Sequence, residues 1–228
     1  MMSNILNLDK RDYHMHSVTF SDGLATIDDM VKFAWDIWLQ EIAITDHSDA
    51  AVKGFKERCW FYPSGARYTL KRWQNVWNDV KVIFWVEWDI LNGEGDICTS
   101  IQWIESDFLI LSAHVDVYKW DPSTVTGATI KAIEKYHKKI KFIGHPCNNA
   151  DFWEFCDIEK LVVAANQYGV PLECNAKNIV RGKTNLEKLD YLLRNANQVY
   201  LNSDAHTLHE LKYAREFAIN YLKENWYI

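Results

Sequence analysis

The sequence predicts an α/β fold closed into a barrel, and three observations predict it. Short apolar runs without alternation recur along the chain, the pattern of strands covered on both faces in a parallel sheet. Stretches of helical period separate them, giving seven strand–helix alternations. Nearly every strand ends on His, Asp or Glu. A barrel gathers the C-terminal ends of its strands around one axis, whereas an open sheet would spread them across its width.

Each element can be justified in turn. Asp12-Tyr13-His14-Met15-His16 opens the chain as a strand, and side chains two apart on a strand point to the same side. His14 and His16 can therefore meet one cation, and Asp22 adds a carboxylate six residues on. Thr26-Ile27-Asp28-Asp29 reads as a capping box with Asp in place of Glu. Ile27, Met30, Ala34 and Ile37 then recur at helical spacing to about Trp38, with Trp35 and Trp38 as packing residues. Ile42-Ala43-Ile44 is a strand ending in Thr45-Asp46-His47. Lys53 to Pro63, rich in aromatic residues, reads as a long loop, either a binding lid or a surface excursion. A helix through Trp73 and Trp77 leads to the strand Val82–Val86, which delivers Glu87.

The second half repeats the scheme. Phe108-Leu109-Ile110-Leu111 ends at Ser112-Ala113-His114, and a helix marked by Ile130, Ile133 and Tyr136 precedes Phe142-Ile143-Gly144-His145. Ile158, Leu161, Val162 and Ala165 mark a helix stopped by Gly169-Val170-Pro171. Leu172-Glu173-Cys174-Asn175 is a strand end, Leu186, Leu189 and Leu193 form a helical stripe, and Val199-Tyr200-Leu201 runs into Asp204 and His206. A last amphipathic helix carries Leu211, Ala214, Ala218 and Tyr221. No linker or repeat divides the chain, so residues 1–228 are predicted to form a single domain.

Composition narrows the function. With 48% hydrophobic and 14% aromatic residues in 228, the chain can bury a substantial core, which excludes disorder. A formal charge of -6 disfavours nonspecific nucleic-acid binding, which needs Lys and Arg against the backbone. The five cysteines are widely spaced and read as free thiols in a reducing compartment. The first residues show no leader pattern, and no run of roughly 20 apolar residues is present, so the expectation is a soluble, cytoplasmic protein without membrane partners.

Six of the eight histidines fall just after apolar strands; His137, in a Lys-rich stretch, and His209, at a helix start, do not. Mixed imidazole and carboxylate donors suit Zn, Mn or Fe. The motifs His14-Met15-His16…Ser21-Asp22-Gly23, Thr45-Asp46-His47, Glu87-Trp88-Asp89, Ser112-Ala113-His114, Gly144-His145-Pro146 and Ser203-Asp204-Ala205-His206 resemble the PHP (polymerase and histidinol phosphatase) family, in order, from about Asp12 to about Leu222. That resemblance implies a distorted seven-stranded (β/α)7 TIM-like barrel with two or three divalent ions. It implies that His14, His16, Glu87 and Asp204 hold one ion. Glu87 bridges to a second with His114 and His145, and Asp22, His47 and His206 hold a third. Asp46 and Glu173 are left as residues that orient imidazoles.

The activity so implied is hydrolysis of phosphomonoesters of small molecules by attack of a metal-bridging hydroxide, with Glu87 and Asp204 at the centre of the reaction and Arg181 forked onto the phosphate. Lys56 and Arg58 are weaker candidates for the phosphate role. Histidinol phosphate is one possible substrate. The alternatives are a 3'-5' exonuclease or nucleotide phosphodiesterase like the domain attached to X-family DNA polymerases, and a metal-binding module without catalysis. Cys147-Asn148-Asn149 after His145-Pro146, where the polymerase-attached domains tend to carry Arg, points toward the stand-alone phosphatases. Trp38 stands where the family ends its first helix on Gly, which predicts a reshaped helix end, because a bulky residue disfavours the left-handed cap.

Overall fold

A computed structural model describes residues 4–59, 78–101, 104–105 and 109–228. The first strand is broken into β1 (Asn4–Ile5) and β2 (Arg11–Asp12); β3 is Glu41–His47 and β4 is Lys81–Ile90. Three short strands follow, β5 (Ile97–Cys98), β6 (Ser100–Ile101) and β7 (Ile104–Glu105). The remaining strands are β8 (Leu109–Ser112), β9 (Ile140–Ile143), β10 (Leu172–Asn175) and β11 (Gln198–Asn202). The main sheet runs β1-β11-β10-β9-β8-β4-β3-β2, with every neighbour on this path parallel.

Its two ends come together. Met15 bridges Ala205, His16 N donates to Ala205 O at 2.8 Å, and Ala205 N donates to His14 O at 3.3 Å. The seven parallel strands β2, β3, β4, β8, β9, β10 and β11 thus form a nearly closed barrel, as the sequence predicts.

Alternation divides the strand residues between two packing regions. Tyr13, Ala43, Ile110, Phe142 and Tyr200 form one cluster, which fits the barrel interior, while Ile42, Ile44, Leu109, Leu111, Ile143, Val199 and Leu201 belong to the larger core shared with the helices. The seam is also polar. Asn7 Nδ2 donates to Leu201 O at 2.9 Å, and Arg215, from the last helix, donates to Leu201 O at 2.7 Å and to Asp9 O at 3.0 Å.

The helices are α1 (Ile27–Asp36), α2 (Asp49–Cys59), α3 (Val125–Tyr136), α4 (Ile158–Tyr168), α5 (Ala176–Val180), α6 (Leu186–Asn195) and α7 (Leu208–Glu224). The Thr26–Asp29 capping box forms as expected, and Gly169 closes α4 at φ +67°. Three expectations are corrected. Lys53 to Cys59 belongs to α2 rather than to a loop; residues 60–63 and the helix predicted through Trp73 and Trp77 lie outside the described residues. The count of seven strand–helix alternations falls short between β4 and β8, where no helical stretch is named in the sequence and the described chain passes through β5 and the antiparallel β6–β7 pair. The reason is local: Asn92 Oδ1 accepts from Glu94 N and Asp96 N, and Gly95 takes φ +72°, so the chain turns back on β4.

The third correction concerns Trp38, which does adopt the left-handed conformation, at φ +66°. Leu39 N donates to Ala34 O at 2.9 Å and Trp38 N to Trp35 O at 3.0 Å, so the backbone closes the helix despite the side chain. Trp38 is 75% exposed and Trp35 49%, which leaves neither as a core packing residue. Among the described residues, Cys98, Cys147, Cys156 and Cys174 are free, and no helix is long and apolar enough to cross a membrane.

Candidate metal centre

All nine residues singled out as ligands meet at one end of the barrel. The chain just beyond β2 supplies His14 and His16, and the loop beyond it Asp22. The register of β3 on β4 sets His47 beside Glu87. His114, His145, Asp204 and His206 follow the ends of β8, β9 and β11. His137 and His209 lie on or beside helices away from this cluster, as expected.

Glu87 is fully buried at the centre. Its Oε1 lies 3.0 Å from His145 Nε2, 3.5 Å from His14 Nε2 and 3.6 Å from His114 Nε2. Its Oε2 lies 2.8 Å from His47 Nδ1 and 3.6 Å from His16 Nε2. Asp204 Oδ1 is 3.5 Å from His16 Nε2 and 3.8 Å from His14 Nε2, while Asp22 Oδ1 is 3.3 Å from His206 Nε2 and 3.5 Å from His47 Nε2.

Three groups have donor atoms close enough to share a cation: His14, His16 and Asp204; His47, Glu87 and His114; and His16, Asp22, His47 and His206. They overlap the expected sets without matching them: Glu87 is absent from the group of His14, His16 and Asp204, His16 joins Asp22, His47 and His206, and His47 joins Glu87 and His114 where His145 is expected, His145 instead contacting Glu87 directly.

The donor set fits divalent ions on its own chemistry. His14 Nε2 and His16 Nε2 are buried without a hydrogen-bond partner, each a cost of about 1–3 kcal/mol that a bound cation would offset. Burial, together with His47 and His206, pushes the His16 ring well below its ordinary pKa, so it is the neutral imidazole that coordination needs. Burial alone would raise the Glu87 carboxyl, but His114, His47 and His14 outweigh it and hold it well below the usual range. Asp204 behaves alike, with Lys177 and His14 overcoming burial. Burial works against a proton on His14, yet Glu173, Asp204 and Glu87 hold its ring well above the ordinary value. Positive charge is therefore favoured at the spot where an ion would sit.

A surrounding layer fixes these side chains. Glu173 takes four donors: His14 Nδ1 at 2.8 Å, His145 N at 2.8 Å, Asn202 Nδ2 at 3.0 Å and Asn175 Nδ2 at 3.1 Å. It orients an imidazole, as the sequence suggested; Asp46 instead accepts from the backbone and hydroxyl of Ser17. Asp89 was missed, although it accepts His114 Nδ1 at 2.6 Å and Ser48 Oγ at 2.5 Å. Its spacing of two from Glu87 on one strand was the available signal. Ser112 Oγ donates to Glu87 Oε1 at 2.7 Å. His145 and Asp204 hold left-handed backbones, φ +34° and +52°, the kind of local strain that concentrates at working sites.

A cavity of about 210 Å³ opens over the centre and is also lined by Asn148, Lys177, Arg181 and Lys183. Arg181 reaches it but is ion-paired with Glu210, whose other oxygen accepts His206 N at 2.9 Å. Lys56 and Arg58 belong to α2, and their side chains lie outside the described residues. Lys177 was missed by the sequence reading. Its Nζ lies 2.8 Å from Asp204 Oδ1.

Comparison with known proteins agrees with this geometry. The family model described as PHP domain matches residues 12–170. The probable phosphatase YcdX of Escherichia coli (strain K12) is 27% identical over 203 residues, covering 86% of this chain and 78% of that one, and its Shigella flexneri counterpart matches to the same extent. Among solved structures, histidinol phosphate phosphatase from Lactococcus lactis, complexed with Zn, L-histidinol and phosphate, superposes with a TM-score of 0.58 at 17% identity, covering 94% of this chain and 93% of that one. A Listeria monocytogenes protein described as a putative histidinol phosphatase gives 0.55 at 15% identity, with 91% and 99% covered. These two likenesses are of fold.

Proposed function

This chain belongs to the PHP domain family, and from that premise we infer that it is a metal-dependent phosphoesterase acting on small phosphomonoesters. The observation that carries the reading is the overlap of three cation-sized donor groups around Glu87, His16 and His47 beneath one cavity. His14, His16, His47, His114, His145 and His206 with Asp22, Glu87 and Asp204 would hold two or three ions of the Zn, Mn or Fe class. When bound, such ions supply an activated water and neutralise charge on a phosphoryl oxygen.

The chain's own residues do the rest. Glu87, reached by four imidazoles within 3.6 Å on its two oxygens besides His47, ties the donor groups together. Glu173 and Asp89 fix the rings of His14 and His114 so that the opposite nitrogen faces the centre. Buried walls keep bulk water from the floor of the cavity, while its mouth stays open to a small ester. Arg181 lines the same cavity while paired with Glu210, through which it would brace the His206 backbone.

A small ester is favoured over nucleic acid by the modest volume above the centre and by the net charge of -6. Two relatives point the same way: the Escherichia coli one is called a probable phosphatase, and the Lactococcus lactis one holds L-histidinol and phosphate.

The test is to purify the protein, measure bound metal, and assay a phosphomonoester panel, histidinol phosphate included, beside labelled single-stranded DNA with added Mn. Turnover of monoesters without shortening of DNA is expected. Shortening of DNA with no monoester turnover would replace this reading with an exonuclease, and bound metal with neither activity would leave a binding module. His14→Ala is expected to abolish both metal loading and turnover, and full activity in that variant would sink the site assignment.

A further inference from the structure

Lys177 is the second residue of α5, two residues past Asn175, which ends β10, the strand that also carries Glu173. Asn175 and Lys177, on either side of that junction, both grip Asp204. Asn175 Nδ2 donates to Oδ2 at 3.0 Å, and Lys177 Nζ lies 2.8 Å from Oδ1. The ammonium also lies 3.2 Å from His206 Nδ1, and the side chain, 14% exposed, lines the cavity over the centre.

A merely structural role would be to neutralise a buried carboxylate. Asp204 has other means to that end. Its Oδ1 already faces His14 and His16 within 3.8 Å, in the group of donors sized for a cation. An ion held there shares the charge of that oxygen and weakens its hold on the ammonium. Lysine has three donors on a flexible stem, and the two contacts above account for two of them. The neighbouring guanidinium is committed elsewhere, to Glu210, and is about half exposed. Among the described residues that line the cavity, Lys177 is the cation that touches a carboxylate of the centre.

We propose that Lys177 binds the phosphoryl group of the substrate, its ammonium taking an oxygen of the phosphate from the side of the cavity formed by α5, opposite the donor groups that would hold the ions. The proposal rests on the phosphoesterase reading and assigns Lys177, rather than Arg181, the contact with phosphate. It also bears on substrate class: an ammonium at this position favours a doubly charged phosphomonoester over a singly charged diester, by charge alone.

The experiment uses Lys177→Met, Lys177→Gln and Lys177→Arg beside the wild type, all metal-loaded. Metal content is read by mass spectrometry, inorganic phosphate affinity by calorimetry, and kcat and KM on the best monoester and on a matched diester. Both neutral variants are expected to retain wild-type metal content. They should bind phosphate roughly 10–100-fold more weakly and lose more on the monoester than on the diester, with Lys177→Arg recovering part of the loss. Phosphate affinity within two-fold of wild type in either folded neutral variant would overturn the proposal. So would loss of metal in step with loss of phosphate, which would make Lys177 a clamp on Asp204. A wild type that neither binds phosphate nor turns over any ester would overturn the phosphoesterase reading itself, and that outcome is distinct from the other two.

Discussion

Trp38 holds a left-handed backbone with most of its ring in solvent, so its side chain gives little in return for the strain. A residue with a Cβ in that region costs about 1–2 kcal/mol, and glycine avoids it at the expense of a more flexible unfolded chain. Trp38→Gly is therefore expected to stabilise the protein by about 1 kcal/mol, a rise of about 2–4 °C in Tm by thermal melting, with unchanged metal binding. A lower Tm would show that the ring makes a contact that matters. The same residue marks a limit of reading by residue type. The Cβ penalty at Trp38 predicts a different helix end. What decided the geometry was backbone: two closing hydrogen bonds, from Leu39 to Ala34 and from Trp38 to Trp35, which no residue preference reveals. Side-chain chemistry was easier to read, because His, Asp and Glu after apolar strands have few structural reasons to recur. Lys177 escaped, since a lone lysine early in a short helix resembles any surface lysine until its neighbour Asp204 is in view.

Strands are where sequence and structure agreed most closely. A parallel strand is a short apolar run that stops, and the residue at the stop is visible without coordinates; β3, β8, β9 and β11 were all legible in this way. The elements that were not legible lack such a signature: α2 in a stretch read as loop, and the β5 to β7 excursion where no element was read. Contact between neighbouring strands was also invisible, and β9 against β8 gives the sharpest case. A Cβ on Gly144 would come within 2.4 Å of Ser112 Oγ and 2.9 Å of Ile110 Cγ2. The hydroxyl that would be displaced is the one that donates to Glu87. Gly144→Ala is thus expected to cost about 1–3 kcal/mol by overpacking and to lower Tm by several degrees. It should also weaken metal binding, read by competition with a chelator. A variant with wild-type Tm and metal affinity would show that Ser112 can move without disturbing Glu87.

At the scale of the whole molecule the centre is also a stabilising ligand site. It gathers buried donors that lack partners, so ions that bind only the folded chain raise its stability by mass action, by about 2.7 kcal/mol at a hundred times Kd. Removal with a chelator is expected to lower Tm by roughly 5–10 °C, reversed by adding Zn or Mn. An unchanged melt after verified metal loss would count against cation binding at these residues. The barrel shows in the convergence of strand ends, a property of the whole chain, and the parallel sheet closes accordingly. The seam was not visible: Asn7 and Arg215 read as ordinary polar residues, yet they tie the first strand to the last. That seam has a consequence in time. Tyr13 N finds its acceptor on Asn202, 189 residues later, and His14 and His16 meet Asp204 across the same gap. At the pace of synthesis, about 5–20 residues per second, roughly 10–40 s pass between the first histidines and their carboxylate. A nascent chain therefore exposes its first histidines long before Asp204 and His206 exist, and the centre can take up its full complement of ions only after the last strand has left the ribosome.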